Sequence, residues 1–239
     1  MKISFRKLHS LACAAILVAF AAVTCTAAFS QSETILADFA NTDYGSPYSG
    51  LIADSAGNFY GTLLGTTSST PYGLVYELQR ASGGTYNFVA LHYFSGPDGY
   101  GPDGGLVRDS HGNLYGTTIA GGNYNSGVVY ELQPTSSGTW DFADLYNFHY
   151  DGVTYFDGAL PIANMIVDKN GNLYGTTNYG GNGPCYDDSG ASRYPYLPLV
   201  GCGIVFELSQ GHNGAWAEKI LYNFQGGADG ALPLSLIHI

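Results

Sequence analysis

The sequence predicts an all-β protein, a β-propeller-like array of four-stranded antiparallel blades, and three observations predict it. One phrase recurs, as GLIADSAGNFYGT from Gly50, GLVRDSHGNLYGTT from Gly105 and NMIVDKNGNLYGTT from Asn164. Each copy is followed by the same two apolar segments in the same order, and nothing after residue 30 shows a helical period. The step between copies is of blade length: Asp54 to Asp109 is 55 positions and Asp109 to Asp168 is 59, close to the roughly 40 to 50 residues of propeller repeats once long loops are added. A parallel β-helix needs shorter, more regular coils and a sandwich does not repeat its turns so faithfully, so these are the alternatives.

Lys2, Arg6 and Lys7 precede the apolar run 11–23, and Ala28-Phe29-Ser30 offers small residues at a cleavage position. Residues 1–30 are therefore predicted to be a secretory signal peptide cut before Gln31. A lipoprotein attached through Cys25 is the alternative, against which Ala-Val-Thr stands before that cysteine. The run is too short and too early for a membrane span. Residues 31–239 form one repeat domain, in which ETILADF (33–39) matches only a fourth strand, with Leu36 and Phe39 in the places of Leu91 and Phe94. It is predicted to be the outer strand of an incomplete blade. Full units follow at about 50–104, 105–161 and 162–233.

Within a unit the first two strands flank a turn of the form Asp-x-x-Gly-Asn: Asp54, Gly57 and Asn58, then Asp109, Gly112 and Asn113, then Asp168, Gly171 and Asn172. The Asp side chain can accept backbone N–H groups ahead of it and the Gly supplies a left-handed position, which makes these residues structural. The third strand follows as GLVYEL, GVVYEL and GIVFEL from Gly73, Gly127 and Gly203, and the fourth ends at Phe94, Phe148 and Phe224. Glu77, Glu131 and Glu207 are read as hydrogen-bonding residues at the ends of the third strands. The third unit departs twice. It opens on Asn164 where the others have Gly, which puts a tight turn there in doubt, and it carries an insertion, since Tyr174 to Glu207 spans 33 positions where Tyr115 to Glu131 spans 16. After DGALP at 229–233 the next unit should open; instead the chain reads as truncated, with 234–239 as a candidate non-native tail. Three blades fall short of the four to eight of closed propellers.

The chain has 8 basic and 19 acidic residues, a net charge of −11. Loss of the leader removes three basic residues, giving 5 − 19 = −14. That balance excludes nucleic acid and anionic membranes as partners. Of the four cysteines, Cys13 and Cys25 lie in the leader, and Cys185 and Cys202 both sit in the third unit's insertion. In an exported protein this pair is expected to form a disulfide.

HExxH, GxSxG, CxxC, phosphate-loop and EF-hand patterns are all missing from the sequence. The six histidines do not share a repeat position; His92 is read as packing and His111 as a turn residue. Asp98, Asp103 and Asp157, each before Gly, are turn residues first and Ca²⁺ ligands only as an alternative, because no loop shows alternating ligand spacing. No other cofactor is expected.

With these motifs in place, the chain resembles the bacterial "choice-of-anchor tandem repeat GloVer-containing" proteins. The resemblance rests on G-L-[IV]-x-D-S-x-G-N-[LF]-Y-G-T-T, then G-[LV]-V-[YF]-E-L, then L-[YH]-x-F before a D-G loop, over roughly 34–233. It implies an exported protein, released or anchored at the cell surface by a C-terminal segment outside this sequence, and no established reaction. The periplasm is the alternative location.

In a propeller, the link from second to third strand opens on the same face as the crossing between blades. That face would collect Tyr100, Tyr124, Tyr155, Tyr179, Tyr186, Tyr194 and Tyr196, a ring-rich surface suited to a glycan or protein partner. Covering of blade edges is the plainer reading of the same tyrosines. The leading functional expectation is a non-catalytic surface or secreted protein that binds through this face. The alternatives are a polysaccharide-active or metal-assisted hydrolase or lyase, for which no unique acid–base cluster breaks the repeat, and a purely structural surface protein.

Overall fold

The computed structural model describes residues 2–8, 31–39, 45–65, 70–149, 157–185 and 201–234. Among them it contains fourteen strands and no α-helix, hence no helix long and apolar enough to cross a membrane. Strands β1 (Lys2–Leu8) and β2 (Gln31–Asp38) form a two-stranded pair. Blade 1 comprises β3 (Ile52–Ala53), β4 (Phe59–Leu63), β5 (Leu74–Arg80) and β6 (Tyr86–Tyr93). Blade 2 comprises β7 (Val107–Arg108), β8 (Leu114–Thr118), β9 (Val128–Pro134) and β10 (Trp140–Asn147). Blade 3 comprises β11 (Ile166–Val167), β12 (Leu173–Thr177), β13 (Ile204–Gln210) and β14 (Trp216–Asn223). Each blade is an antiparallel meander in chain order.

The period of two along each strand explains how the blades stack. On β9, Val128, Tyr130 and Leu132 join Tyr60, Val75 and Phe94 of blade 1 in one core, while Val129 turns the other way to meet Ile204, Phe206 and Leu208 of blade 3 in the next. The third strands of blades 1 and 2 are thus buried on both faces, which is why they read as unbroken apolar runs, whereas in blade 3 Ile204, Phe206 and Leu208 are buried and Val205 and Glu207 are half-buried. Rings bridge the blades: Phe94 meets Tyr130 at 5.1 Å between centroids and Phe148 meets Phe206 at 5.3 Å. Ahead of blade 1, Phe39 does the same against Tyr76 at 5.5 Å, and Leu36 and Ala37 of β2 pack against the same core. The backbone of β1 pairs along β2, Lys2 opposite Asp38 and Leu8 opposite Gln31. Because β1 lies inside the segment read as a leader, cleavage before Gln31 would remove it.

One residue of each outer strand is skipped in the ladder, Leu91, Leu145 and Leu221, where the register shifts. An extra residue at a bulge lets two neighbours point to the same side. Leu145 and Tyr146, adjacent in sequence, both pack against the core between blades 2 and 3.

Two expectations need correcting. Glu77, Glu131 and Glu207 do not end their strands; each is the fourth of seven residues, with the strand running on through Arg80, Pro134 and Gln210. Polar continuations such as Gln79-Arg80 hide this in the sequence, because only the first part of the strand is enclosed. Nor does Asn164 disturb a tight turn: its equivalents Gly50 and Gly105 do not have positive φ, and Asn164 Oδ1 instead accepts the Gly105 N–H at 2.6 Å, tying blade 3 to blade 2.

The hydroxyls of Tyr76 and Tyr130 are buried without a hydrogen-bond partner, and burial raises the pKa of both phenols. The same repeat position in blade 3 is Phe206, so the hydroxyl is not needed to form a blade. Tyr130→Phe is expected to stabilise the protein by about 1 kcal/mol, the cost of an unpaired buried hydroxyl. Loss of stability in a denaturant melt would show that Tyr130 Oη has a partner in solution.

Candidate functional site

The hairpin turns on one face of the array are held by a network written three times. Asp54 Oδ1 accepts the N–H groups of Ala56 and Asn58, both at 2.9 Å, and Oδ2 accepts from Asn58 Nδ2 and the Tyr60 hydroxyl. Asp109 and Asp168 repeat these bonds with Asn113, Tyr115, Asn172 and Tyr174. Gly57, Gly112 and Gly171 take φ of 85°, 95° and 84° at the turn, a region that only Gly enters without strain. The Tyr60 and Tyr115 hydroxyls reach on to buried Glu77 and Glu131. A polar cleft of about 320 Å³ opens between the turns of blades 2 and 3, lined by Asp109, Asn113, Tyr115, Glu131 and Trp216 among others. Its acids do in blade 2 what Asp54 and Glu77 do in blade 1, so they belong to the repeated framework.

On the opposite face each crossing to the next blade carries the sequence Asp-Gly-x-x-Pro, at Asp98, Asp157 and Asp229. Asp98 accepts from the Ser95 N–H at 2.7 Å, from Ser95 Oγ and from His92 Nε2 at 2.9 Å. Burial works to raise the Asp98 pKa, yet these bonds hold it below the usual carboxylate range. Asp157 accepts from the Tyr146 hydroxyl at 2.5 Å and the His149 N–H, and Asp229 from Tyr222 and the Gln225 N–H. The structure therefore places Asp98 and Asp157 in internal bonds of the crossing turns. Asp103 lies five residues beyond Asp98, with its N–H on the Gly101 carbonyl. No group of three or more His, Cys, Asp or Glu side chains is placed to hold a metal ion among the described residues.

The joint between blades 2 and 3 adds a second acid. Glu218 occupies the place that Phe142 has in blade 2, where the Phe ring stacks on His92 at 4.0 Å between centroids. Burial, and then the charge of Asp157, push the Glu218 carboxyl up to about 7, and Oε1 has no partner. The unfolded chain would hold that proton only below the ordinary value of 4.5. Since the folded state binds the proton more tightly, its stabilising effect is full below about 4.5 and is lost as pH rises through about 7. Thermal melts are expected to drop between pH 5 and 8, with a smaller drop in Glu218→Gln; equal drops in both chains would remove Glu218 as the cause.

The crossings and the links between second and third strands meet on this same face. Tyr100 bridges Ala120, and Ala159 bridges Tyr179. In each unit one link residue receives the crossing: Tyr72, Ser126 and Cys202 accept at their carbonyls from the N–H groups of Gly101, Leu160 and Leu232. Two side chains at these matched positions break the repeat. Tyr72 stands where the other blades have Ser126 and Cys202, and Tyr100 stands where they have Ala159 and Ala231. Their rings meet edge to face at 6.0 Å and 86°. They wall a groove of about 380 Å³ whose floor and rim are Gly96, Pro97, Gly122 and Asn125. Tyr72 is 40% exposed. Asn125 Oδ1 accepts the Gly121 N–H at 3.0 Å, which leaves the amide NH₂ of that side chain as the donor at the rim.

Of the tyrosines expected on this face, Tyr100 lines the groove, while Tyr124 lies exposed in the next link with its ring edge-on to His149 at 4.3 Å. Tyr179 packs beside Ile119, Ala120 and Leu160. Tyr155, Tyr186, Tyr194 and Tyr196 lie outside the described residues. Tyr72 was missed by sequence reasoning; its signal was the unequal residue before Gly73, Gly127 and Gly203. A disulfide joins Cys185 to Cys202 across a separation of 17 residues, closing the insertion.

A sequence profile for the Gloeobacter/Verrucomicrobia repeat matches residues 22–238. No curated protein matches the chain in sequence. Among solved structures, it is similar to the crystal structure of a putative oxidoreductase (glucose dehydrogenase) from Thermus thermophilus, with 14% identity and a TM-score of 0.34. The match covers 77% of this chain and 63% of that one, so the chain spans less than two thirds of its length. A likeness of that size carries no activity to this protein.

Proposed function

The chain belongs to the Gloeobacter/Verrucomicrobia repeat family, and on that footing we propose that it is an exported, cell-surface or secreted, non-catalytic protein that binds a partner through the loop face of its blades. One observation carries this reading. The framework is written three times over, while the Tyr72–Tyr100 groove is written once, on the face where links and crossings converge. Recognition of one partner needs one distinctive place, and loops on a rigid scaffold are where such places arise. The repeated carboxylates support a non-catalytic role, because Asp54, Asp98, Asp109, Asp157 and Glu131 are engaged by turns, hydroxyls or His92. Export is supported by the basic and apolar start of the chain and by the Cys185–Cys202 disulfide.

The test is a binding screen on glycan and envelope-protein arrays with the 31–239 chain, run with and without EDTA, beside Tyr72→Ala and a variant shortened across 180–201. Binding that Tyr72→Ala abolishes supports the loop face. Binding that survives it, and is lost instead on shortening, moves the site to the insertion; an EDTA-sensitive signal brings back calcium.

A further inference from the structure

We propose that the Tyr72–Tyr100 groove takes an uncharged saccharide, a neutral pyranose unit lying against one tyrosine ring and the glycine floor with a hydroxyl at the Asn125 amide; this rests on the loop-face reading above. The groove between blades 1 and 2 is lined by Tyr72, Pro97, Tyr100, Asn125 and glycines, with no acid or base among them. Neutral walls demand a neutral ligand, because a charged one would give up its hydration to a surface with no counter-charge.

The surroundings sharpen this. The Asp98 carboxylate next to Pro97 stays ionised, held by Ser95 and His92, and the chain carries −11 overall. An anionic sugar such as a uronate would approach against both. A small organic cation is attracted by that field, but the Asp98 carboxylate is taken up by three hydrogen bonds and does not line the groove.

Shape favours a ring. The two walls stand nearly perpendicular, at 86°, so a flat apolar face laid on one tyrosine meets the edge of the other. The floor is glycine because the backbone is close: a Cβ on Gly121 would overlap the Gly96 carbonyl oxygen, and one on Gly96 would lie 3.1 Å from the Tyr72 ring. The peptide groups at this base are paired with one another, the Gly96 carbonyl accepting from both Gly99 and Gly122, so the base offers glycine Cα surface to a sugar ring and the Asn125 amide is the donor left for a hydroxyl. A volume of about 380 Å³ lies at the small end of the roughly 300 to 1,000 Å³ of ligand sites, room for one or two sugar units and not for a long folded segment of protein. The next joint lacks both rings, having Ser126 and Ala159, so one site per chain is expected.

The experiment is titration calorimetry of the whole protein with cellotriose, xylotriose, laminaritriose, trigalacturonate and choline, at low and high NaCl. The expected result is one site for a neutral trisaccharide, unchanged by salt and weakened about tenfold or more in Tyr72→Ala. Asn125→Asp keeps the acceptor for Gly121 and loses the donor, so it should weaken binding without changing the melting curve. This second variant protects the conclusion if Tyr72→Ala folds poorly. Salt-sensitive binding of trigalacturonate, or binding of choline, that depends on Tyr72 would overturn the neutral-saccharide assignment while leaving the loop-face reading intact. Neutral binding indifferent to Tyr72 and Asn125 would overturn both, and so would a chain that binds none of the five probes and whose partners in the array screen are also indifferent to Tyr72.

Discussion

Replacing Gly116 by alanine is expected to destabilise the protein by about 3 kcal/mol, the upper part of the range for overpacked cores, and to lower its melting temperature by roughly 6 to 12 °C for a domain of this size. A Cβ on Gly116 would overlap the Tyr130 hydroxyl oxygen and lie 2.5 Å from Cζ. Tyr130 has no room to withdraw, since its ring is wholly enclosed between Phe94 and Phe142. Gly61 and Gly175 stand in the same relation to Tyr76 and Phe206: a Cβ would lie 2.7 Å from the Tyr76 hydroxyl oxygen in the first case and overlap the Phe206 ring in the second. The glycine of the repeated Tyr-Gly-Thr is thus required for the ring opposite it, and not for a special backbone angle, because none of the three has positive φ. Two further variants separate the explanations. Gly50→Ala, where a Cβ meets nothing within 4 Å, should stay within about 0.5 kcal/mol of the parent. Tyr130→Leu should cost less in the Gly116→Ala background than alone, a coupling that a double-mutant cycle measures. If Gly116→Ala is as mild as Gly50→Ala, the ring is free to move and the packing account fails.

Removing the disulfide is expected to be comparably costly, about 3 kcal/mol by the chain-entropy rule for a closed loop of roughly 15 residues. Cys202 is fully buried, and Gly183 and Gly226 lie against the sulfurs. Cys202 also holds a crossing: its carbonyl accepts the Leu232 N–H at 2.8 Å, and the Cys185 carbonyl accepts the Gly201 N–H. A Cys185→Ser, Cys202→Ser chain should therefore melt lower, and a reducing agent should bring the parent down to the same curve while leaving the variant unchanged. A parent whose melt ignores reductant would mean that the bond contributes nothing to stability.

Much of the fold was legible because the residues that build a blade are repeated with it. The recurrence of Asp-x-x-Gly-Asn, the apolar third strand and the terminal Phe located the turns, the twice-buried strand and the ring that bridges blades. What stayed hidden depended on contacts between blades. The bulge at Leu91, Leu145 and Leu221 leaves no trace in composition, and the strand continuing past Glu77 is disguised by its solvated end. The exchange of Phe142 for Glu218 shows itself as a half-buried acid only once the blades are stacked, with the charge of Asp157 nearby as a further contribution. For the candidate site, Tyr100 was legible as a loop-face ring, whereas Tyr72 was hidden because its matched positions, Ser126 and Cys202, carry no ring. The pairing of the two needs the Gly101 to Tyr72 hydrogen bond, which joins residues far apart in the chain.

That one position in three blades is filled by Tyr72, Ser126 and Cys202 has a consequence for how such a protein changes. The contact shared by all three is made by the backbone, whose carbonyl receives the crossing in every blade, so the side chain there is free to differ between copies, one becoming a wall, one a spacer and one a crosslink. The array then behaves as a rack with interchangeable fittings. Where the first joint is left open by Tyr72, the second is closed over Ser126 and Ala159, both wholly enclosed, so a second groove would require its links to be remodelled and not only two tyrosines to be added.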